Sequence, residues 1–203
     1  MKKSIHQTKR NEILQSASKV FVKRGYFRTQ MEDVAKESEV AKGTLYLYFK
    51  SKEELFASLF ESMFDQGYFN IEKIKNLPDA AAEKLKLYVK TQMEFCEKNM
   101  ELFMMMDREF SHIEKTLRRD HTQKVMKKYE KIIGSLSEII DQGIKEKLIR
   151  AVDPVLVSLI LLGIIKAFVF KSIKFHNREK LTDQIAIIMG IFLKGVGAQE
   201  KKR

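Results

Sequence analysis

The residues whose types and spacing could do chemistry lie between Thr29 and Lys52, and the chemistry they suit is recognition of a duplex rather than bond making. In Ala41-Lys-Gly-Thr-Leu-Tyr-Leu-Tyr-Phe49, a helix would place Leu45 and Phe49 on one inward face together with Ala41. Gly43 and Leu47 then point outward, with Thr44 and Tyr46 beside them. An outward leucine between two aromatic residues is odd for a solvated surface. It makes sense against a thymine methyl in a major groove, with Gly43 letting the backbone approach the duplex. Lys42 and Lys52 stand near the starts of successive helices, where they could reach phosphates that backbone amides also attract. As a helix, Lys42 to Phe49 spans about 12 Å, close to the groove width of about 12 Å. The plainer alternative is a small helical hairpin whose tyrosines only pack.

Such a surface needs elements to hold it. A first short helix would bury Val34 and Ala35, and the tight turn Ser38-Glu39-Val40 would lead into the second; this spacing suits a helix-turn-helix. Thr29-Gln-Met-Glu32 and Ser51-Lys-Glu-Glu54 both fit the capping box, in which hydroxyl and carboxylate satisfy each other's backbone donors. Gly25 is placed to end the preceding helix in a left-handed conformation. Pro78-Asp79 and Asp153-Pro154 open later helices. Apolar residues recur every three or four positions, and no Asn-Gly, Asp-Gly or Gly-Gly pair marks a hairpin. The 203 residues therefore read as all-α, with about nine helices near 7–24, 30–37, 41–48, 52–75, 79–98, 101–111, 115–147, 154–175 and 182–195. Short basic helices give way to long apolar-faced ones near residue 52. The expected division is 1–52 for a three-helix DNA-binding domain and 53–203 for a larger helical bundle that binds ligand and dimerises.

Charge points the same way. Of the net +11, residues 1–52 carry +7, and a concentrated positive end suits a polyanion, nucleic acid before an anionic membrane. Met1 to Glu12 is basic without the apolar core of a signal peptide. The apolar run Val155–Ile165, stopped by Lys166, is shorter than the roughly 20 residues of a membrane span. Cys96 is the single cysteine, which suits a reducing compartment. A cytoplasmic protein without a membrane partner is expected. Nothing suggests an enzyme or a cofactor: His6, His112, His121 and His176 are scattered, Cys96 sits in an apolar stretch, and no Gly-x-Ser-x-Gly elbow or phosphate-cradling glycine loop is present.

Residues 10–56, from Arg10-Asn-Glu-Ile-Leu through Gly25-Tyr-Phe-Arg-Thr29 to Val40-Ala-Lys-Gly-Thr-Leu-Tyr-Leu-Tyr-Phe-Lys-Ser-Lys-Glu-Glu-Leu-Phe56, closely resemble the DNA-binding domain of TetR-family transcriptional regulators. The resemblance implies a dimeric repressor that binds a double-stranded, palindromic operator and leaves it when a small molecule enters the regulatory domain. Carried onto this chain, the family's DNA contacts fall on Thr29 or Gln30, Lys42, Gly43, Thr44, Tyr46, Leu47, Tyr48 and Lys52, with Arg28 as a further phosphate contact. Many members have Tyr-His-Phe where this chain has Leu47-Tyr48-Phe49, so its operator is expected to differ. The basic leader, Lys2-Lys3 to Lys9-Arg10, would be either a DNA-contacting arm or a disordered end.

The second half is less specific. Methionine and phenylalanine crowd residues 88–110 and form an adaptable apolar lining. Tyr88, Met93, Cys96, Met100, Phe103, Met106, Phe110 and Phe168 are the candidates to line a pocket for a lipophilic or acyl-chain effector; an ordinary core is the alternative. Two late helices are apolar over more of their circumference than one buried stripe requires. Leu156, Ile160, Gly163, Ile164 and Ala167 on one, with Ile185, Ile188, Met189 and Phe192 on the other, would suit a four-helix dimer interface. A constitutive or partner-controlled DNA-binding protein is the competing reading.

Overall fold

The computed structural model describes residues 2–116, 119–175 and 179–196, with side chains outside 2–5 and 110–120. Among the described residues there is no strand. The helices are α1 (Lys2–Arg24), α2 (Met31–Glu37), α3 (Lys42–Tyr48), α4 (Lys52–Lys75), α5 (Ala81–Lys98), α6 (Met100–Thr116), α7 (Arg119–Lys145), α8 (Pro154–Phe175) and, after a 3-10 turn at Leu181–Gln184, α9 (Ile185–Val196). The all-α reading and its nine helices stand, with differences at the ends. α1 starts at Lys2, so the basic leader continues a helix rather than forming a disordered end. α5 starts at Ala81 rather than Asp79 because the Glu146 carboxylate accepts the Ala81 N–H at 2.9 Å, capping the helix from α7's end.

Local signals account for most other boundaries. Gly25 stops α1 with φ +78°, a region that side chains with a Cβ avoid. The Asp153 carboxylate accepts the Val155 N–H at 2.9 Å and Pro154 begins α8, as Pro at the first helical position allows. The Ser51 hydroxyl accepts the Glu54 N–H at 3.2 Å, but the Glu54 carboxylate reaches back to Lys50 N–H rather than to Ser51. At α2 the capping box is shifted by one residue. Gln30 is the N-cap, and the Asp33 carboxylate accepts its N–H at 3.0 Å.

Packing divides the chain into two compact units. One holds the residues up to Phe64 together with Glu101–Met126; the other holds Asp65–Met100 and the residues from Lys127 on. This grouping follows contacts, not a single cut: α4 runs through position 64, and most of α6 folds with α1–α3. In the first unit, Ile13, Ala17 and Phe21 of α1 meet Val34 of α2, Leu45 of α3, Phe56 of α4 and Met105 of α6 in one buried cluster. Phe21, Tyr26 and Phe56 pack ring to ring at 4.8–5.9 Å. Removing such a ring costs about 3–5 kcal/mol.

In the second unit α5 packs on α8, α9 and the 3-10 turn, burying Leu85, Val89, Leu161, Ile188 and Phe192. Its polar groups are paired. Lys84, buried on α5, donates to the Lys75 carbonyl and the Gln142 side chain, each at 2.9 Å. Glu97 accepts the Thr182 N–H at 2.9 Å and so fixes the turn into α9. Over its full 22 residues α8 meets the length and composition of a membrane span, which Val155–Ile165 alone does not. Val157, Ser158, Leu161 and Ile165 are buried, while most of the helix is not.

Candidate nucleic-acid interface

α3 is a seven-residue helix held by two anchors. Leu45 and Phe49 are fully buried, and around them Tyr46 and Tyr48 are half-buried against the same core. The remaining surface faces out: Leu47 is 74% exposed, and a Cβ built on Gly43 would meet nothing within 4 Å. Thr44 is half-buried, while Lys42 is exposed. Ala41, expected inward, is exposed. It sits at the N-cap with φ −63° and ψ 145°, outside the helix, so the 100° step does not apply to it.

Two turns set the orientation of this helix. Between α2 and α3 the Ser38 hydroxyl donates to the Val34 carbonyl at 2.6 Å, Glu39 takes φ +52°, and Val40 N–H donates to the Ala35 carbonyl at 3.0 Å. Between α1 and α2 the chain is clamped from several sides. Lys52, at the start of α4, donates to the carbonyls of Tyr26, Phe27 and Thr29 at 2.9, 3.2 and 3.0 Å, and its ammonium lies 4.6 Å from the Tyr26 ring centre. Tyr26 N–H donates to the Glu109 carboxylate of α6 at 2.8 Å. The Tyr26 hydroxyl donates to Glu53 at 3.4 Å, and burial, then Glu53, pushes that phenol well above its ordinary range.

The residues singled out from sequence are therefore not equivalent. Arg28, Gln30, Lys42, Gly43 and Leu47 are exposed; Thr44, Tyr46, Tyr48 and Lys52 are half-buried. Thr29 is buried, and its hydroxyl donates to the Gly25 carbonyl at 2.7 Å, a local bond that explains why it is not the N-cap. Arg28 donates through Nε to the Arg24 carbonyl at 3.1 Å. The N-terminal turns of α1 lie against the end of α3: the His6 ring is 4.4 Å from the Tyr48 ring, and the Arg10 guanidinium 4.9 Å from the Phe49 ring. Among the described residues three ion pairs join α1, α2 and α3: Lys19 to Glu37 at 3.9 Å, Arg24 to Asp33 at 2.6 Å, and Lys42 to Glu32. Glu32 and the Tyr26–Lys52–Glu109 clamp were invisible in sequence, because their partners lie ten or more positions apart.

The effector candidates fall in both units. Tyr88, Met93 and Cys96 are buried on α5, and Met100 and Phe168 are half-buried; all five belong to the second unit. Phe103 and Met106 are half-buried in the first, where Met106 packs on the α1–α4 core. The Phe110 side chain lies outside the described residues, as does His176. Burial pushes the Cys96 thiol up to about 11, so it remains a thiol rather than a nucleophilic thiolate. Among the described residues no group of three His, Cys, Asp or Glu could hold a metal.

On α8 and α9 the face differs from expectation in part. Leu156, Ile160, Gly163 and Ala167 are exposed, and Ile164, Ile185 and Met189 half-buried. Ile188 and Phe192 instead point into the unit's own core, and the exposed α9 row is Ile187 and Ile191. A helix apolar on every side does not reveal by periodicity which face is outermost.

Comparison with known proteins now bears on this geometry. The family described as "Bacterial regulatory proteins, tetR family" matches residues 13–59, and "Tetracyclin repressor-like, C-terminal domain" matches residues 78–169. The chain is 32% identical over 141 residues to the fatty acid metabolism regulator protein of Bacillus subtilis, covering 68% of this chain and 71% of that one. An uncharacterized HTH-type transcriptional regulator, YhgD, of the same organism is 31% identical, covering 81% and 84%. The crystal structure of the regulator FadR from Bacillus subtilis in complex with stearoyl-CoA superposes with a TM-score of 0.76 at 24% identity, covering 91% and 98%.

Proposed function

This chain belongs to the TetR family of bacterial transcriptional regulators, and we propose that it works as a homodimer whose effector is a long-chain fatty acyl-CoA. It is a DNA-binding, ligand-responsive repressor rather than a constitutive or partner-controlled DNA-binding protein. The observation that carries DNA recognition is the outer surface of α3: Leu47 is 74% exposed beside a glycine that opens onto free space. Leu47 meets a base edge by apolar contact and Gly43 lets backbone and duplex approach. Lys42, Arg28 and Gln30 supply phosphate contacts, with Thr44, Tyr46 and Tyr48 beside them. Thr29 and Lys52 act one step back, by fixing the α1–α2 turn. Residues 1–52 thus carry DNA recognition, and 53–203 carry ligand binding and pairing. The family is one of regulators, not enzymes, and the reading gives the chain no catalytic step and no cofactor.

Pairing runs through α8 and α9. Leu156, Ile160, Gly163 and Ala167 on α8 and Ile187 and Ile191 on α9 are exposed, and a second copy supplies the surface that would bury them. Two α3 helices must then stand about one DNA turn, roughly 34 Å, apart. A ligand that favours another spacing shifts the population off the operator. The acyl-CoA class is supported by the name of the 32% identical relative, by the ligand of the stearoyl-CoA complex, and by the Met- and Phe-rich α6. The protein is placed in the cytoplasm, where DNA and acyl-CoA are both available. Isothermal titration tests the effector: stearoyl-CoA should bind once per subunit, far more tightly than coenzyme A alone. Equal, weak heats for both would remove acyl-CoA from the proposal.

A further inference from the structure

We propose that Glu32 is an internal competitor of DNA for Lys42, a carboxylate that in the free protein occupies the ammonium a phosphate must recruit. The inference rests on the reading of α3 as the DNA-binding helix. Lys42 is the first residue of α3 and Glu32 lies in the first turn of α2, and their side chains form an ion pair across the motif. The neighbouring acid is differently engaged. Asp33 takes Arg24 at 2.6 Å and the Gln30 N–H at 3.0 Å, so it serves the cap and α1, leaving Glu32 facing α3. Both partners are open to solvent, Lys42 60% and Glu32 50% exposed along their side chains. A phosphate can therefore reach this pair without any rearrangement of the core.

The perturbations are reciprocal. The hydrogen bond from Lys42 is the largest cause holding the Glu32 carboxyl below its ordinary value, and that to Glu32 raises Lys42. Two consequences follow on DNA. The phosphate gains Lys42 only by displacing Glu32, and the released carboxylate then stands beside a like charge. Glu32 thereby lowers affinity for every sequence, leaving discrimination to Leu47 and its neighbours. An exposed pair is worth little, so the effect is modest and uniform.

The test is a double-mutant cycle on the full-length protein, with binding to a fluorescein-labelled 30-bp duplex of mixed sequence followed by anisotropy as salt is raised. Glu32→Gln should tighten binding about two- to five-fold and steepen the salt dependence by up to about one unit per bound subunit. In a Lys42→Gln background the same change should give a smaller gain, because the competed ammonium is gone and only the like-charge repulsion remains. Circular dichroism confirms that all four proteins fold. No gain from Glu32→Gln, or an equal gain with and without Lys42, would overturn the proposal; the second result would make Glu32 a general repulsive charge. Failure of the wild type to bind any duplex would overturn the DNA-binding reading itself, and the inference with it.

Discussion

At Gly43 the demands of folding and of recognition separate. A Cβ there meets nothing within 4 Å, so Gly43→Ala should leave the fold intact and raise helix stability by about 0.5–1 kcal/mol. If the backbone at Gly43 approaches DNA, the same methyl should weaken operator binding at least ten-fold. A melting temperature and an anisotropy titration on one sample check both halves; a variant more stable and equally tight on DNA would show that Gly43 faces no ligand. Leu47→Ala should likewise spare the fold, since the side chain is mostly exposed, and relax preference at one or two base pairs. The outward setting of these residues was legible in sequence, because a 100° step carries Leu45 and Phe49 inward and Gly43 and Leu47 outward. Two neighbours were not. Ala41 precedes the helix and escapes the periodicity, and Thr29 fits an N-cap pattern but donates its hydroxyl to Gly25 instead.

Among the elements, the α1–α2 turn decides whether α3 is presented correctly. Lys52 holds three carbonyls of that turn and Glu109 holds the Tyr26 N–H. Lys52→Met keeps the stem but loses the donor, and hydrogen bonds from a charged group are worth about 1.5–3 kcal/mol. The variant should lose stability on that scale and DNA affinity on every sequence; a phosphate contact alone would lower affinity without moving the urea midpoint. Sequence placed most helix ends within a few residues, because caps such as Asp153-Pro154 and stops such as Gly25 are local. The start of α5 lies close to the expected position, set by a carboxylate 65 positions away; the larger departures are α1, which begins at Lys2 rather than near 7, and α6, which runs to Thr116 rather than 111.

That distant cap also sets a pH dependence. The Glu146 carboxyl is held below its ordinary value near 4.5 by Gln142 and the Ala81 N–H, and Glu72 is lowered by Ser135 and Lys75. A lowered carboxyl contributes stability that is fully present above its unfolded pKa and is lost as pH falls through the folded value. Stability measured in urea should therefore be flat from pH 7 to about 5.5 and fall below about pH 4.5. Glu146→Gln should be less stable at pH 7 yet fall less steeply in acid. An acid limb identical to the wild type's would show that Glu146 does not contribute.

For the whole molecule the exposed apolar residues of α8 and α9 matter most. Ile187 and Ile191 are 52% and 50% exposed, Leu156 53%, and a stable interface would bury them. Leu156→Glu with Ile191→Glu should give monomers by sedimentation and abolish cooperative operator binding while leaving α1–α3 folded. The double variant remaining dimeric would place pairing elsewhere. That α8 and α9 leave apolar surface exposed could be anticipated from their apolar circumference; which α9 residues stand outermost could not, since Ile187, Ile188, Ile191 and Phe192 are alike in one dimension. Effector residues were harder still, because an apolar core and an apolar pocket share one composition, and the candidates divide between two packing units.

The most direct test of the account is operator release. A duplex selected from a random pool by the wild-type protein, labelled and saturated with it, is titrated with stearoyl-CoA while anisotropy is followed, with coenzyme A as the control. Loss of the bound signal at about one acyl-CoA per subunit, with none from coenzyme A, is the predicted result. A complex indifferent to stearoyl-CoA at concentrations that saturate the free protein would contradict the account, because ligand and operator would then bind without coupling.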